Sequence, residues 1–345
     1  MKAQRVLVLV HPTLIPPATL AGVSERQYDE WRTEFDVIST LRESGHDVKV
    51  VGADDSLDEL REVLRDWQPQ TVFNLLEEFH GTVSYEQHVV AWLELLCQPY
   101  TGCNPRGLMI ARDKVLCKQV LSAHGIRTPA FVLWKRGARA PTMRQLAYPL
   151  FVKSATEDAS LGISQSSVTR NAHQLRQRVT FMHQQIGCDA LVEEYVAGHE
   201  YYVAVLGNQR LQSFPVWELQ FGRMPASNPA IATHAVKWDR KYQRKYGIGT
   251  RRAEPMPTAL AAQLGRAARQ VFRALGLSGY ARIDFRRRTD GTLYVLEANP
   301  NPNLARIEDF ATSGAAAGLA YPALLERIMK TGQSYRAAWR ATQSG

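Results

Sequence analysis

Ala281-Arg282-Ile283-Asp284-Phe285 and Leu296-Glu297-Ala298-Asn299-Pro300 flank the tetrapeptide Thr289-Asp290-Gly291-Thr292. Asp-Gly between two alternating apolar runs predicts a β-hairpin with a two-residue type I′ turn. With Asp290 and Gly291 as the turn, Thr289 pairs with Thr292, and counting outward sets Asp284 opposite Glu297 and Arg282 opposite Asn299. Side chains alternate across a strand, so these four share one face, while Ile283, Phe285, Leu296 and Ala298 occupy the other. Two carboxylates, an amide oxygen and a guanidinium thus converge on one patch. Hard oxygen donors of this kind suit magnesium, which takes one or two carboxylates and completes its shell with water and substrate phosphates. The competing reading is an ordinary solvated hairpin. The proline-punctuated exit Asn299-Pro300-Asn301-Pro302-Asn303 argues against it.

Working outward, 345 residues leave room for two or three domains, each with its own core. A composition of 45% hydrophobic and 22% charged residues is that of a globular protein. The apolar run Val6-Leu7-Val8-Leu9-Val10 stops at His11-Pro12, too short for a signal sequence and better read as a buried first strand. With no apolar stretch of membrane-spanning length, the expected location is cytoplasmic, with no membrane partner. Cys97, Cys103, Cys117 and Cys188 lack zinc-site spacing and are too sparse for a disulfide framework, which predicts reduced and mostly buried thiols. The net charge of +9 is scattered, and no helix-turn-helix, zinc-finger or aromatic RNA-binding signature accompanies it. A phosphorylated small molecule accounts for the local basic clusters, and no nucleic-acid partner is expected.

Along the chain, residues 5–10 read as a strand, 28–43 as a helix stopped at Gly45, and 47–51 as a second strand. Residues 57–67, 71–75 and 86–96 repeat the alternation, which implies a parallel sheet covered by helices. The section from 112 to 206 mixes helices (112–124, 171–185) with strands (131–134, 148–153, 190–194, 200–206) in an α+β pattern. Residues 219–257, rich in Gly, Pro and basic residues, read as an extended and partly mobile loop. A helix over 258–275, the hairpin and a final helix near 322–329 complete the chain.

Phosphate loops of the Gly-x4-Gly-Lys-Ser/Thr type, Gly-x-Ser-x-Gly elbows, His-Glu-x2-His pairs and a Gly-x-Gly-x2-Gly turn are all missing, so nucleotide binding would need another scaffold. Lys153 ends an apolar strand and enters the small, polar loop 154–163; Lys114 opens its own helix. Each can hold a phosphate as a point charge, with backbone N–H groups of small loop residues assisting.

Taken in order, Val72-Phe73-Asn74-Leu75-Leu76, Gln98-Pro99-Tyr100-Thr101-Gly102, Arg112-Asp113-Lys114, Glu193-Glu194-Tyr195-Val196-Ala197-Gly198-His199-Glu200 and Arg282-Ile283-Asp284-Phe285 with Glu297-Ala298-Asn299 resemble the motifs of the D-alanine:D-alanine ligases, within the ATP-grasp superfamily. The likeness runs from about Val72 to the C-terminus. It implies an α/β domain over residues 1–105, a central ATP-grasp subdomain over 106–192, and a C-terminal subdomain with the metal site over 193–345. The cofactors it implies are ATP and magnesium, two ions being expected and manganese an alternative. Lys114, Lys153 and Ser160 would meet the nucleotide's phosphates, Glu193, Glu194 and Val196 would line the adenine hinge, and Glu200 would accept from the ribose hydroxyls. Asp284, Glu297 and Asn299 would bind the metal. Arg282 would stabilise an oxyanion, assisted by Lys153 on the phosphate and by a backbone N–H near Asn303. Trp238-Asp239 followed by Lys241-Tyr242 or Lys245-Tyr246 echoes the family's mobile loop, which makes Lys241 or Lys245 a further phosphate contact. The implied activity joins a small-molecule carboxylate to an amine through an acyl phosphate, in a chain that could pair as a homodimer.

Three departures bear on the substrate. The family's N-terminal His-Gly-Gly-x-Ser-x-Glu turn is absent after Val10, and Gly22-Val23-Ser24-Glu25 is a displaced echo, leaving Glu25 either a substrate contact or a solvated helix-start residue. Ala159 stands where the family has a serine. Beyond Asn299, Glu308-Asp309 replace the family's Ser-Leu, and a glutamate repels a carboxylate. If Glu308 faces the acceptor rather than solvent, an amine-bearing or cationic acceptor fits it. The alternatives are a D-alanine:D-alanine ligase with a divergent pocket, and a nucleotide-binding regulatory protein without catalysis.

Overall fold

The computed structural model of the chain describes residues 2–156, 162–225, 228–338 and 340. The first sheet is parallel, as expected. Strand β1 (Arg5–Val10) lies between β2 (Asp47–Gly52) and β3 (Thr71–Asn74), because its five apolar residues are covered on both faces and all fully buried. The single helix expected over 28–43 is two: α1 (Glu25–Glu30), started by a Ser24–Gln27 capping box, and α2 (Arg32–Glu43), with the chain breaking at Trp31. Helices α3 (Asp58–Trp67) and α4 (Glu86–Leu95) fall where the apolar periodicity put them. The helix expected from Arg112 is α6 (Lys114–Ala123), capped by Asp113, whose Oδ1 accepts from the N–H groups of Val115 and Leu116 at 2.9 Å. Arg112 instead closes a preceding helix, α5 (Pro105–Arg112), announced by the cap residue Asn104 and the proline after it.

The second sheet is antiparallel, in the order β4 (Phe131–Trp134), β7 (Ala190–Glu194), β5 (Leu150–Ser154), β6 (Val168–Thr169), and packs on α7 (Ala172–Phe181) through Val152, Leu175, Val179 and Val192. Its strands lie within residues 131–194, so the expected division at 192 falls inside β7. The third sheet centres on β8 (His199–Leu206), with β9 (Gln212–Ser213) and β10 (Trp217–Gln220) beside it.

Residues 219–257 are not an extended loop. After β10 the described part of this tract forms α8 (His234–Trp238), α9 (Arg240–Tyr246) and the edge strand β11 (Gly249–Arg252). Thr233 and Asp239 cap the two helices, and Val236, Ile248 and Leu219 bury against Trp217 and Tyr202. These local caps and a private apolar cluster outweigh the helix-breaking composition. Helix α10 (Thr258–Ala274) then leads to the hairpin β12 (Tyr280–Arg287) and β13 (Leu293–Pro300), followed by α11 (Asp309–Ala316) and α12 (Tyr321–Gln333). Cys103 and Cys117 are buried, Cys188 is half-buried and Cys97 exposed, all as free thiols. Among the described residues no helix is long and apolar enough to cross a membrane.

Candidate active site

The hairpin places Arg282 opposite Asn299 and Asp284 opposite Glu297, the register counted from the sequence. It reaches that register by a different route. Arg288 N–H bonds to Thr292, so the turn holds three residues, Thr289 to Gly291, with Gly291 at φ +87°. That longer turn shifts the pairing by one, Phe285 facing Val295. A β-bulge at Leu296 then restores it before Glu297. The bulge also re-aims Leu296, which lines the cavity instead of joining the opposite face.

That cavity, about 560 Å³, opens between the second and third sheets and falls in the size range of small-ligand sites. Arg282 clamps Asp284 in two bonds, Nε to Oδ1 at 2.7 Å and an Nη to Oδ2 at 2.9 Å, and Asn299 Nδ2 donates to the same carboxylate at 3.0 Å. Burial pushes Asp284 up although Arg282 opposes it. The Arg282 guanidinium also lies 4.8 Å from the ring centroid of Tyr202, whose hydroxyl donates to Glu200 at 2.9 Å. Glu297 behaves differently. Burial alone would raise it, but Lys237, Lys153, Lys114 and Arg282 together hold it at about 2. Four cations act on this one carboxylate, with Arg282 shared by Asp284 and Lys153 by Glu193, a setting that fits a polyanion bound with a divalent cation, for which Asp284, Glu297 and Asn299 are the candidate hard-oxygen donors.

Lys153 sits at the same end, its Nζ 3.1 Å from Glu193 Oε1. Glu193 is also bound by Lys118, Nζ to Oε2 at 2.8 Å, and Lys118 donates to Thr128 at 2.6 Å. Glu193 is lowered because the two lysines outweigh its burial; Lys118 is lowered by burial. Glu193 therefore anchors two ammonium groups, while Glu194 pairs with Arg288, and Glu194, Val196 and Glu200 line the cavity. Glu200 is buried and bound by Arg286 as well as Tyr202, so both its oxygens already have donors.

Lys241 and Lys245 are both exposed and neither lines the cavity; Lys245 lies over the Tyr246 ring. Lys237, one turn earlier on α8, lines it instead. This cavity-lining lysine thus precedes the Trp238-Asp239 pair in the chain, where the expectation is a lysine after it. Glu25 is an exposed residue at the start of α1, paired with Arg240 at 2.7 Å, and does not line the cavity. Asn303 and Glu308 both line the cavity. Asn303 Oδ1 accepts from Thr33 at 2.7 Å and from Ala305 N–H at 2.8 Å. Ser160 and Ala159 lie outside the described residues. Lys118, Lys237, Leu296 and Asp309 were not singled out from sequence. A lysine at each of positions 114 and 118, one helical turn apart at the head of α6, was the available signal for Lys118.

Residues 120–330 match the family model described as the C-terminus of the D-ala D-ala ligase. An uncharacterised Sinorhizobium fredii protein, y4sG, is 30% identical over 311 residues, covering 88% of each chain. The D-alanine–D-alanine ligase of Moorella thermoacetica is 28% identical over 324 residues, covering 90% of this chain and 96% of the other. In fold, the chain superposes on the Bacillus anthracis D-alanine–D-alanine ligase solved in complex with ATP, with a TM-score of 0.74 at 20% identity over 99% of this chain and 100% of that one.

Proposed function

The chain belongs to the D-alanine–D-alanine ligase family of ATP-grasp carbon–nitrogen ligases, and from that premise we propose that it joins a carboxylate to an amine through an acyl phosphate, with an acceptor pocket unlike that of a D-alanine ligase. The observation that carries this reading is the polarity of the cavity. Lys114, Lys153 and Lys237 act together on Glu297, and Glu308 and Asp309, at the start of α11, line the same cavity within the reach of Arg282.

ATP bound here, with magnesium, would supply the phosphoryl group that turns a carboxylate into an electrophile. Lys153 and Lys237, fixed by Glu193 and by α8, would neutralise the transferring phosphoryl charge. Asp284, Glu297 and Asn299 would hold the metal, and Leu296 would lie under the base. A donor carboxylate oxygen bonds to the γ-phosphorus as the bond to the ADP oxygen breaks. The amine nitrogen then bonds to the acyl carbon, the carbon–oxygen bond to phosphate breaks, and the nitrogen sheds its proton. Arg282, locked by Asp284, would stabilise the oxyanion that forms between those two events.

Magnesium-dependent ADP release across a panel of carboxylate and amine pairs tests the assignment. Release stimulated by a defined pair and lost at least a hundredfold in Glu297→Ala is the expected outcome. Release that Glu297→Ala leaves intact would place the chemistry elsewhere. Stimulation by D-alanine alone would make the protein a D-alanine–D-alanine ligase and the pocket differences inconsequential.

A further inference from the structure

Two carboxylates at the start of α11 line the cavity and a third lies in an adjoining void, and among the described residues none of the three has an ion pair within 4.0 Å. Glu308 is the N-cap of α11 yet makes no capping hydrogen bond, so its carboxylate is not consumed by the helix. Asp309 follows in the first turn, and among the described residues neither side chain has a hydrogen bond or an ion pair within 4.0 Å. The cations that act on them are Arg282, held in two bonds by Asp284, Arg32, paired with Asp29, and Lys237, which Asp309 shares with Glu297.

The third carboxylate is an independent observation. Glu34 on α2 is 6% exposed and lines a small void that shares Glu77, Asn301, Pro302 and Asn303 with the main cavity. Among the described residues its carboxylate accepts only from its own N–H, and burial, with Glu77 adding to it, raises it to about 7. A buried carboxyl with no cation facing it takes up a proton instead, and a cation arriving from outside the chain would favour its ionised form.

A helix N-terminus ordinarily attracts an anion. Here Glu308 and Asp309 occupy that position on α11, so a ligand carboxylate would meet two negative charges and a guanidinium already engaged. Resting on the ligase reading above, we propose that the second substrate is an aliphatic diamine or polyamine. One nitrogen attacks the acyl phosphate, while a second, which remains an ammonium, is held by Glu308 and Asp309, with Glu34 extending the acidic surface for a longer chain.

The test is calorimetric titration of the full chain with putrescine, spermidine, butylamine and D-alanine, with and without magnesium and a non-hydrolysable ATP analogue. Putrescine should bind at least about tenfold more tightly than butylamine, and Glu308→Gln and Asp309→Asn should each weaken it by about tenfold, the effect of one lost charge contact. Putrescine binding no tighter than butylamine, unchanged in both variants, or absent with and without nucleotide would overturn the proposal; so would D-alanine binding in its place. The comparison within the wild type holds even if a variant fails to fold. Binding of the ATP analogue alone is read separately, so its failure would count against the ligase assignment and not against the acidic subsite.

Discussion

Single residues set the charge state of this site through their neighbours rather than their chemistry. Glu297 and Glu34 are both buried glutamates, yet one is held at about 2 and the other raised to about 7, because lysines face the first and another glutamate the second. The difference has a measurable sign. Folded Glu34 keeps a proton that the unfolded chain releases above 4.5, so its contribution to stability is present below that pH and is lost as pH rises through 7. Glu34→Gln should flatten this dependence and stabilise the protein at pH 8 by on the order of 2–3 kcal/mol. Melting curves from pH 5 to 8 check it: wild-type and variant profiles that run parallel would show that Glu34 is not desolvated. The sequence could not reveal this residue, whose environment is made by Glu77 and by the segment from Asn301 to Leu304, far along the chain. Lys118 escaped notice for the same reason, since its partner Glu193 lies on β7.

Elements were legible where one local rule decided them. The apolar runs of β1, β4 and β7 and the periodicity of α3 and α10 came through because packing agrees with propensity there. The hairpin register was read correctly at Asp284 and Glu297 only because two departures cancel, the three-residue turn and the bulge at Leu296. A bulge has no reliable mark in sequence, and this one turns toward the cavity a leucine that a regular strand would have turned away. Leu296→Ala should therefore raise the KM for ATP by about tenfold with kcat nearly unchanged, the effect of losing roughly 1–1.5 kcal/mol of apolar contact. A fall in kcat at constant KM would mean that Leu296 positions the metal carboxylates instead. Helices α8 and α9 were missed because each is shorter than two turns, and tertiary burial of Val236, Tyr242 and Ile248 stabilises what propensity does not.

Across the whole molecule, the cavity is closed by contacts between segments distant in sequence. Arg240 on α9 reaches α1, 2.7 Å from Glu25 and 2.5 Å from Asp29, and so ties the 219–257 tract to the first sheet's helices. These groups are substantially exposed, and such pairs contribute about 1 kcal/mol or less. Arg240→Ala should speed amide exchange across residues 234–246 by a few-fold and leave the melting temperature within about two degrees. Unaltered exchange would show that Tyr242 and Val236, not the ion pairs, hold the tract in place. The fold class and the pairing of Asp284 with Glu297 could be inferred from motifs in one chain; the acidic lining of the cavity could not, because Glu77, Glu308 and Asp309 are far apart in sequence and share one cavity only in the folded chain. The central claim is that ATP activates a carboxylate at this site for attack by an amine. Using a substrate pair that stimulates ADP release, with the donor carboxylate labelled in oxygen-18, mass spectrometry of the released phosphate tests it most directly. One labelled oxygen transferred to phosphate for each amide formed is the predicted result; unlabelled phosphate released alongside amide would contradict an acyl phosphate and with it the proposed mechanism.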